Sequence, residues 1–180
     1  MIKKIITWLF LLCIIGIGFL LYYTGYFVKV VVEERDMGPY TLVYQEYLGD
    51  YATVGPVMDK ISKGLIEDAQ VTPERGFGIY YDDPATVAKE KLRSDIGVLL
   101  EEKDMDQLSL IKTKYKVKTF EKTKAVVAEF PYTSPLSVIA GVLKVYPELR
   151  KYVEVNKIHM SEVMEIYDRP AKKIYYIMPL

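Results

Sequence analysis

Two similar seven-residue motifs occur in this chain. Residues 79–85 read IYYDDPA and residues 165–171 read EIYDRPA, so Tyr81 aligns with Tyr167 at an offset of 86 positions. Before each copy, an alternating apolar run leads through a proline into a helical pattern. Tyr-Asp-x-Pro is also a common exit from a strand into a turn, so chance is the alternative explanation. Because the order of patterns also repeats, we predict one unit built twice, with halves at about 29–106 and 107–180 and function where they meet.

Residues 5–27 form an almost wholly apolar run, and the first 28 residues contain no acid. A helix of this length, at about 1.5 Å per residue, reaches about 34 Å and exceeds a hydrocarbon core of about 30 Å. Bulky aromatic residues end the run, which is typical of a membrane interface. A cleaved signal peptide is the alternative, but its apolar region is usually shorter and ends in small residues. We therefore predict that residues 1–28 are an uncleaved signal anchor that contacts the lipid bilayer through residues 5–27.

Charge around this span favours one orientation. Lys3 and Lys4 precede it, whereas Lys29 and Arg35 follow it among acidic residues. The bias of positive charge toward the cytoplasm predicts a cytoplasmic N-terminus and an extracytoplasmic domain on a single-pass protein. The one cysteine, Cys13, lies inside the span, so disulfides indicate nothing about the compartment.

Residues 29–180 are long enough for one compact domain and hold 22 basic and 24 acidic residues, a net charge of −2. Without a basic stripe, nucleic acid is not an expected partner. His159 is the only histidine, so no metal site is expected, and no nucleotide or other cofactor motif is present. The sequence does not identify a protein partner.

Apolar periodicity predicts an α+β domain with both helices on one face of an antiparallel sheet whose strands pair mostly with sequence neighbours. The first helix begins at Pro56. The second begins after Ser134 and presents Ile139, Val142, Leu143 and Tyr146 on one apolar face. Pro147 should kink or restart it. Strands are predicted at 28–33, 40–47, 77–82, 92–100, 115–120, 124–130, 163–167 and 174–178.

Five stretches carry a resemblance to a known family. Residues 76–84 (GFGIYYDDP), residues 91–97 (KLRSDIG) and the closing EIY and IYYIMPL stretches resemble the GyrI-like small-molecule-binding superfamily. Residues 130–137 (FPYTSPLS) are most similar to its membrane-anchored branch, which includes the testis-expressed ER-phagy receptor family. The resemblance covers about residues 29–180 and implies a tandem β-α-β-β (SHS2-type) duplication.

In soluble members of this superfamily, an aromatic-lined cavity binds lipophilic, often cationic molecules above a carboxylate. The resemblance places that carboxylate at Glu165. Period-two alternation puts Glu165 and Tyr167 on one face of their strand and Met164 and Ile166 on the other. If the Met164 face packs on the helices, Glu165 points into the opposite face. The alternatives are a Glu165 near solvent, or one that accepts a hydrogen bond from a neighbouring tyrosine.

Thirteen of the 16 tyrosines lie outside the apolar run, and tyrosine offers apolar area, a face for cations and a hydroxyl. We predict Glu165, Tyr167, its symmetry-related Tyr81 and, less directly, Tyr44 as ligand-binding residues. The predicted function is a membrane-anchored domain that binds or senses a lipophilic, cationic small molecule. A membrane-tethered interaction scaffold is the first alternative. The second is a hydrolase of strained electrophiles that uses glutamate and tyrosine, as in some relatives.

Overall fold

The computed structural model describes residues 2–160 and 162–180. Its helices are α1 (Ile2–Tyr23), α2 (Gly55–Ala69), the short α3 (Leu108–Ile111) and α4 (Pro135–Asn156), with 3-10 helices at Tyr51–Thr53, Lys89–Lys91 and Glu102–Gln107. Its strands are β1 (Val32–Met37), β2 (Tyr40–Leu48), β3 (Arg75–Tyr80), β4 (Arg93–Leu100), β5 (Lys116–Phe120), β6 (Thr123–Pro131), β7 (Val163–Asp168) and β8 (Lys173–Pro179).

All eight strands form one antiparallel sheet in the order β1-β6-β8-β7-β3-β4-β2-β5. The first four strands correspond to the last four: β1 to β5, β2 to β6, β3 to β7 and β4 to β8. Replacing every strand by its counterpart gives the same order read from the opposite edge of the sheet. The sheet therefore has an approximate two-fold axis between β3 and β7. The first strand of each half pairs with a strand of the other half: β1 pairs with β6, and β5 pairs with β2.

The sheet is curled so that its two edges approach each other. β1 lies at one edge and β2 lies beside the other edge, yet only Gly38 and Pro39 connect them. The link between β5 and β6 is equally short, and the two links are in contact. A Cβ on Gly38, which has a φ of +87°, would lie 2.9 Å from the Glu121 carbonyl oxygen. Two-residue links between strands this far apart in the order require a curled sheet.

Both long helices of the domain pack on the same face of the sheet, as the sequence predicts. Val98 packs under α2 and pairs with Gly76, and Gly76 pairs with Tyr167, which packs under α4. On the opposite face, the curled sheet encloses a second apolar core: Met37, Leu42, Phe77, Ile79, Leu99, Ala125, Val127, Met164, Ile166 and Ile177. Alternation along each strand supplies both cores.

Two predictions about strands need correction. The first strand begins at Val32 rather than at residue 28, because residues 24–28 still form turns that end α1. Strand pairing is also less local than expected. Among the described residues, only β3–β4 and β7–β8 pair sequence neighbours, and the other five pairings join more distant strands. The exchange of outer strands accounts for β1–β6 and β2–β5, the pairings β2–β4 and β6–β8 each skip one strand within a half, and β3–β7 joins the two halves at the centre.

The apolar face predicted for the second helix is wrong. Ile139, Val142 and Leu143 are exposed, whereas the face of α4 that contacts the sheet carries Ser137, Ala140, Gly141, Val145, Leu149 and Val153. Large aromatic residues on the sheet occupy the space below, so small residues of α4 are needed there. Of the predicted face, Tyr146 alone reaches the core. The helix also continues through Pro147 without restarting.

Helix α1 stands apart from this domain over most of its length. Residues 3–20 are exposed, and the segment Lys3–Tyr23 is long and apolar enough to cross a membrane. Its last turn contacts the domain, where Thr24 and Gly25 are buried.

Candidate functional site

Glu165 lies at the centre of the sheet, on β7, and points toward α4. Its side chain is buried, with 2% of the residue exposed. The Tyr146 hydroxyl on α4 donates to Oε1 at 2.8 Å, and the Tyr167 hydroxyl donates to Oε2 at 2.8 Å. Tyr80 extends this network, since its hydroxyl lies 3.1 Å from the Tyr167 hydroxyl. Two tyrosines therefore bind the carboxylate, and a third bonds to one of them.

The electrostatics of Glu165 are unusual because both of its hydrogen-bond donors are neutral. Burial raises the pKa of Glu165 to about 7, although the hydrogen bonds from Tyr167 and Tyr146 oppose the rise. Burial and the nearby carboxylate raise the pKa values of Tyr146 and Tyr167 as well, which keeps both hydroxyls protonated as donors. Among the described residues, no basic side chain forms an ion pair with Glu165. Near pH 7 the site is therefore either neutral or carries one negative charge, which one cation would balance.

Two glycines on β3 make room for this cluster. Gly78 pairs with Glu165, and the ring of Tyr80 folds back over it, so that an added Cβ would lie 2.7 Å from the Tyr80 hydroxyl. Gly76 is covered in the same way by Met58 of α2, whose sulfur would be 2.4 Å from a Cβ. Side chains at these positions would displace the residues between α2 and α4. The glycines thus form the floor between the two helices.

Tyr176 on β8 completes the cluster from the other side of Glu165, with which it pairs. Its ring meets Tyr146 edge-on at 5.8 Å, and burial raises its pKa. Its hydroxyl is buried and has no hydrogen-bond partner among the described residues. The hydroxyl fits because α4 carries Gly141 above it, where a Cβ would lie only 2.2 Å away. A buried donor without a partner costs roughly 1–3 kcal/mol and is available to a ligand.

The structure brings together two of the four predicted site residues, Glu165 and Tyr167. The condition under which Glu165 would face away from the helices is not met, because Met164 lies in the second core instead. Tyr81 points to that opposite face, where its hydroxyl donates to Asp95 at 2.7 Å and accepts from Lys118 at 3.1 Å.

Tyr44 belongs to the same opposite face as Tyr81. The Lys118 amine lies 4.7 Å from the Tyr44 ring centroid and also ion-pairs with Asp95. Tyr81 lines a cavity of about 210 Å³ on this face, and Tyr44 borders an open cleft of about 870 Å³ beside α2 and β5. Glu165 lines neither cavity. The structure therefore separates Tyr81 and Tyr44 from the carboxylate by the thickness of the sheet.

A one-residue difference between the halves explains the misplacement of Tyr81. The repeat aligns Tyr81 with Tyr167, but Tyr80 is the residue whose hydroxyl meets Tyr167. A shift of one position along a strand moves a side chain to the other face. Sequence reasoning also missed Tyr146, which it treated as part of an apolar stripe, and Tyr176. The Tyr80-Tyr81 and Tyr175-Tyr176 pairs were the available signal, since one member of each must face the helices.

Comparison with known proteins assigns a family to this arrangement. A model of the GyrI-like small molecule binding domain matches residues 31–177. The chain belongs to the GyrI-like family. The GyrI-like chain is 31% identical over 147 residues to the testis-expressed protein 264 homolog of Mus musculus and 29% identical to testis-expressed protein 264 of Homo sapiens. These matches cover 78% of the chain but only 45% and 44% of the relatives, so the chain spans less than half of their length.

Solved structures share the GyrI-like fold. The structure of SAV2435 bound to tetraphenylphosphonium superposes with a TM-score of 0.53 at 17% identity and covers 83% of this chain and 93% of that one. The C-terminal domain of EcmrR gives a TM-score of 0.56 at 10% identity, with 83% and 96% covered. At these identities, the likeness concerns the fold.

Proposed function

We propose that this chain is a membrane-anchored small-molecule-binding protein whose domain takes a lipophilic cation at Glu165. The observation that carries the proposal is a carboxylate at the centre of the sheet, fully buried, whose only described hydrogen-bond donors are two neutral tyrosines. A buried carboxylate without a counter-ion is costly, and a cation placed against it recovers that cost.

The tyrosines around Glu165 suit a ligand that is both apolar and cationic. Their rings supply apolar area, and each face attracts a cation by about 0.5–2 kcal/mol. The Tyr176 hydroxyl supplies a further donor that is free among the described residues. Support also comes from the family match and from SAV2435, a protein of the same fold that was solved with the lipophilic cation tetraphenylphosphonium.

Access to Glu165 requires movement, because Tyr146 and α4 cover it in this structure. The residue after Tyr146 is Pro147, which has no backbone N–H and cannot bond to the Leu143 carbonyl. Helix α4 therefore lacks one backbone hydrogen bond where it covers the carboxylate. We propose that α4 bends at this point, so that Tyr146 moves away from Glu165 and the cation takes its place.

Helix α1 is the proposed anchor. Its apolar stretch has exposed side chains and ends in aromatic residues beside the domain. We propose a single span with a cytoplasmic N-terminus, because Lys3 and Lys4 precede it. Intact mass and carbonate extraction of the expressed chain check this. An unprocessed protein that stays in the membrane is expected, and a shortened protein in the soluble fraction would identify a signal sequence instead.

The ligand site is tested by calorimetric titration of the detergent-solubilised full chain with tetraphenylphosphonium and with neutral triphenylphosphine oxide. Glu165→Gln keeps the shape but removes the charge, so cation affinity should fall by on the order of 2 kcal/mol or more, roughly 30-fold. Affinity for the neutral compound should change far less. Glu148→Gln, which changes an exposed carboxylate on α4, is the matched control for the loss of one negative charge. Equal cation affinity in the wild type and Glu165→Gln would contradict the site, and absence of binding to either would favour an interaction scaffold.

A further inference from the structure

The first half of α4 carries an apolar surface that faces away from the sheet. We call its members, Leu136, Ile139, Val142 and Leu143, the outer face of α4. Ile139 is 59% exposed and Leu143 is 64% exposed. Isolated exposed apolar residues are ordinary, but four within eight residues of one helix form a patch that needs a partner.

The outer face of α4 begins beside the end of α1. The Thr133 hydroxyl, just before α4, donates to the Tyr23 carbonyl at 2.6 Å, and the Tyr23 hydroxyl donates to the Thr133 carbonyl at 3.3 Å. Further along α4, the Lys144 amine lies 5.4 Å from the ring centroid of Tyr26. Thr133 and Lys144 bracket about 15 Å of helix. The segment from Tyr23 to Tyr26, at the end of α1 and just after it, therefore lies alongside the first three turns of α4.

This position fixes the depth of the outer face relative to the span. The Lys3–Tyr23 segment has 21 residues and, as a helix, extends about 32 Å, close to the roughly 30 Å of a hydrocarbon core. Tyr23 and Tyr26 then lie at the membrane interface, and the first half of α4 lies at the same level.

The charge of this half of α4 fits a lipid surface. Residues 135–147 contain no aspartate or glutamate, and their one charged residue is Lys144. A helix with a large apolar surface and basic residues lies in the interface, where its apolar side chains enter the acyl boundary and its amines meet anionic headgroups. A surface that binds another protein would not need to lie next to the end of the membrane span, whereas a surface that binds the bilayer would.

We propose that the outer face of α4 lies in the interfacial layer of the bilayer that α1 spans, with Lys144 at the level of the lipid headgroups. This inference rests on the proposed anchoring by α1. It makes α4 a two-sided element, because its opposite side carries Tyr146 over Glu165. The candidate site then opens close to the membrane, where lipophilic cations concentrate.

Depth-dependent fluorescence quenching tests this placement on the full chain. Cys13 is the only cysteine, so Cys13→Ser gives a background for single labels. An environment-sensitive fluorophore is attached to Leu143→Cys, to Ile14→Cys within α1, and to Lys63→Cys on the exposed side of α2 as the aqueous control. The proteins are reconstituted in vesicles of phosphatidylcholine and phosphatidylserine with brominated acyl chains. Ile139→Cys provides a second label on the outer face.

The expected result is blue-shifted emission and bromine quenching at positions 143 and 139, strong quenching at 14 and none at 63. A quenched label at 14 with a label at 143 that matches 63 would overturn the inference and leave the anchor intact. A blue-shifted but unquenched label at 143 would also overturn it, because a second copy or another protein would then cover the face. An unquenched label at 14 would overturn the proposed anchor together with the inference.

Discussion

At the scale of single residues, the placement of Glu165 has a consequence for pH. Its folded pKa of about 7 lies above the ordinary value of 4.5, because burial disfavours the charged form. The folded state therefore holds a proton more tightly than the unfolded state. The contribution of this residue to stability is complete below pH 4.5 and is lost as pH rises through 7.

We predict that Glu165→Gln removes this pH dependence from the empty protein. The free energy of unfolding of the variant, minus that of the wild type, should increase by on the order of 3 kcal/mol between pH 4.5 and 7. Above pH 7 this difference should stay constant. Thermal unfolding of the detergent-solubilised chain at a series of pH values measures it. Glu148→Gln, on the surface of α4, should show no such trend. A constant difference between Glu165→Gln and the wild type would contradict a raised pKa.

A second residue-scale prediction concerns Gly141 and Tyr176. Gly141→Ala places a methyl group about where the Tyr176 hydroxyl lies, 2.2 Å from an ideal Cβ. Overpacking of this kind costs about 1–3 kcal/mol, more than the gain of about 1 kcal/mol in helix propensity. Tyr176→Phe removes the hydroxyl and should be neutral or stabilising, because that group has no partner among the described residues.

The two changes at Gly141 and Tyr176 should be coupled. In the Tyr176→Phe background, Gly141→Ala should cost much less than in the wild type, and a double-mutant cycle on unfolding midpoints measures the difference. Additive costs would show that α4 does not approach the sheet as closely as the structure has it.

At the scale of elements, the sequence predicted most strands but not the orientation of α4. Alternation along β6 and β7 tells which residues share a face, because period two has only two faces. Both faces of these strands are buried, so alternation does not tell which face meets the helices. Helix α4 carries two apolar stripes, one of large residues such as Leu143 and one of small residues such as Ala140. Which stripe is buried depends on Phe130 and Tyr176 in the sheet below, whose size excludes large partners. That information lies in other parts of the chain.

The candidate site was predictable to the same extent. Glu165 and Tyr167 share a strand, so their common face follows from alternation alone. Tyr146 reaches Glu165, and Tyr80 reaches Tyr167, only through tertiary packing. The repeat alignment, which is offset by one position here, selected Tyr81 instead of Tyr80. A single-residue offset has little effect on a sequence alignment but reverses the face of a strand residue.

The element-scale prediction concerns Pro147 and the bending of α4. Pro147 is exposed, so Pro147→Ala removes no core contact. It restores a backbone donor to the Leu143 carbonyl, and proline inside a helix costs roughly 3 kcal/mol relative to alanine. The thermal midpoint should therefore rise. If α4 bends there to admit a ligand, association of tetraphenylphosphonium in stopped-flow mixing should become slower. An unchanged association rate would separate ligand entry from α4.

At the scale of the whole molecule, the exchange of outer strands makes the two halves interdependent. β1 belongs to the first half in sequence but completes the edge beside β6, while β5 of the second half completes the edge beside β2. The central pairing of β3 with β7 also joins the halves, and the second core draws residues from both. An isolated half would lose its partner on three strands and expose one side of that core.

The last prediction is that residues 29–180 fold without α1, whereas residues 29–106 and 107–180 do not fold separately. Helix α1 contributes few buried residues, so its removal uncovers mainly the surface around Thr133 and Pro131. A half-domain would keep only three of its four strands paired with one another and could not bury Phe77 or Ile166, which are paired across the two halves. Unfolding of 29–180 should be one cooperative transition, and mixing the two separately expressed halves should restore it in part. A sharp thermal transition in the isolated 29–106 segment would show that the halves are independent and that the exchanged strands are not required for stability.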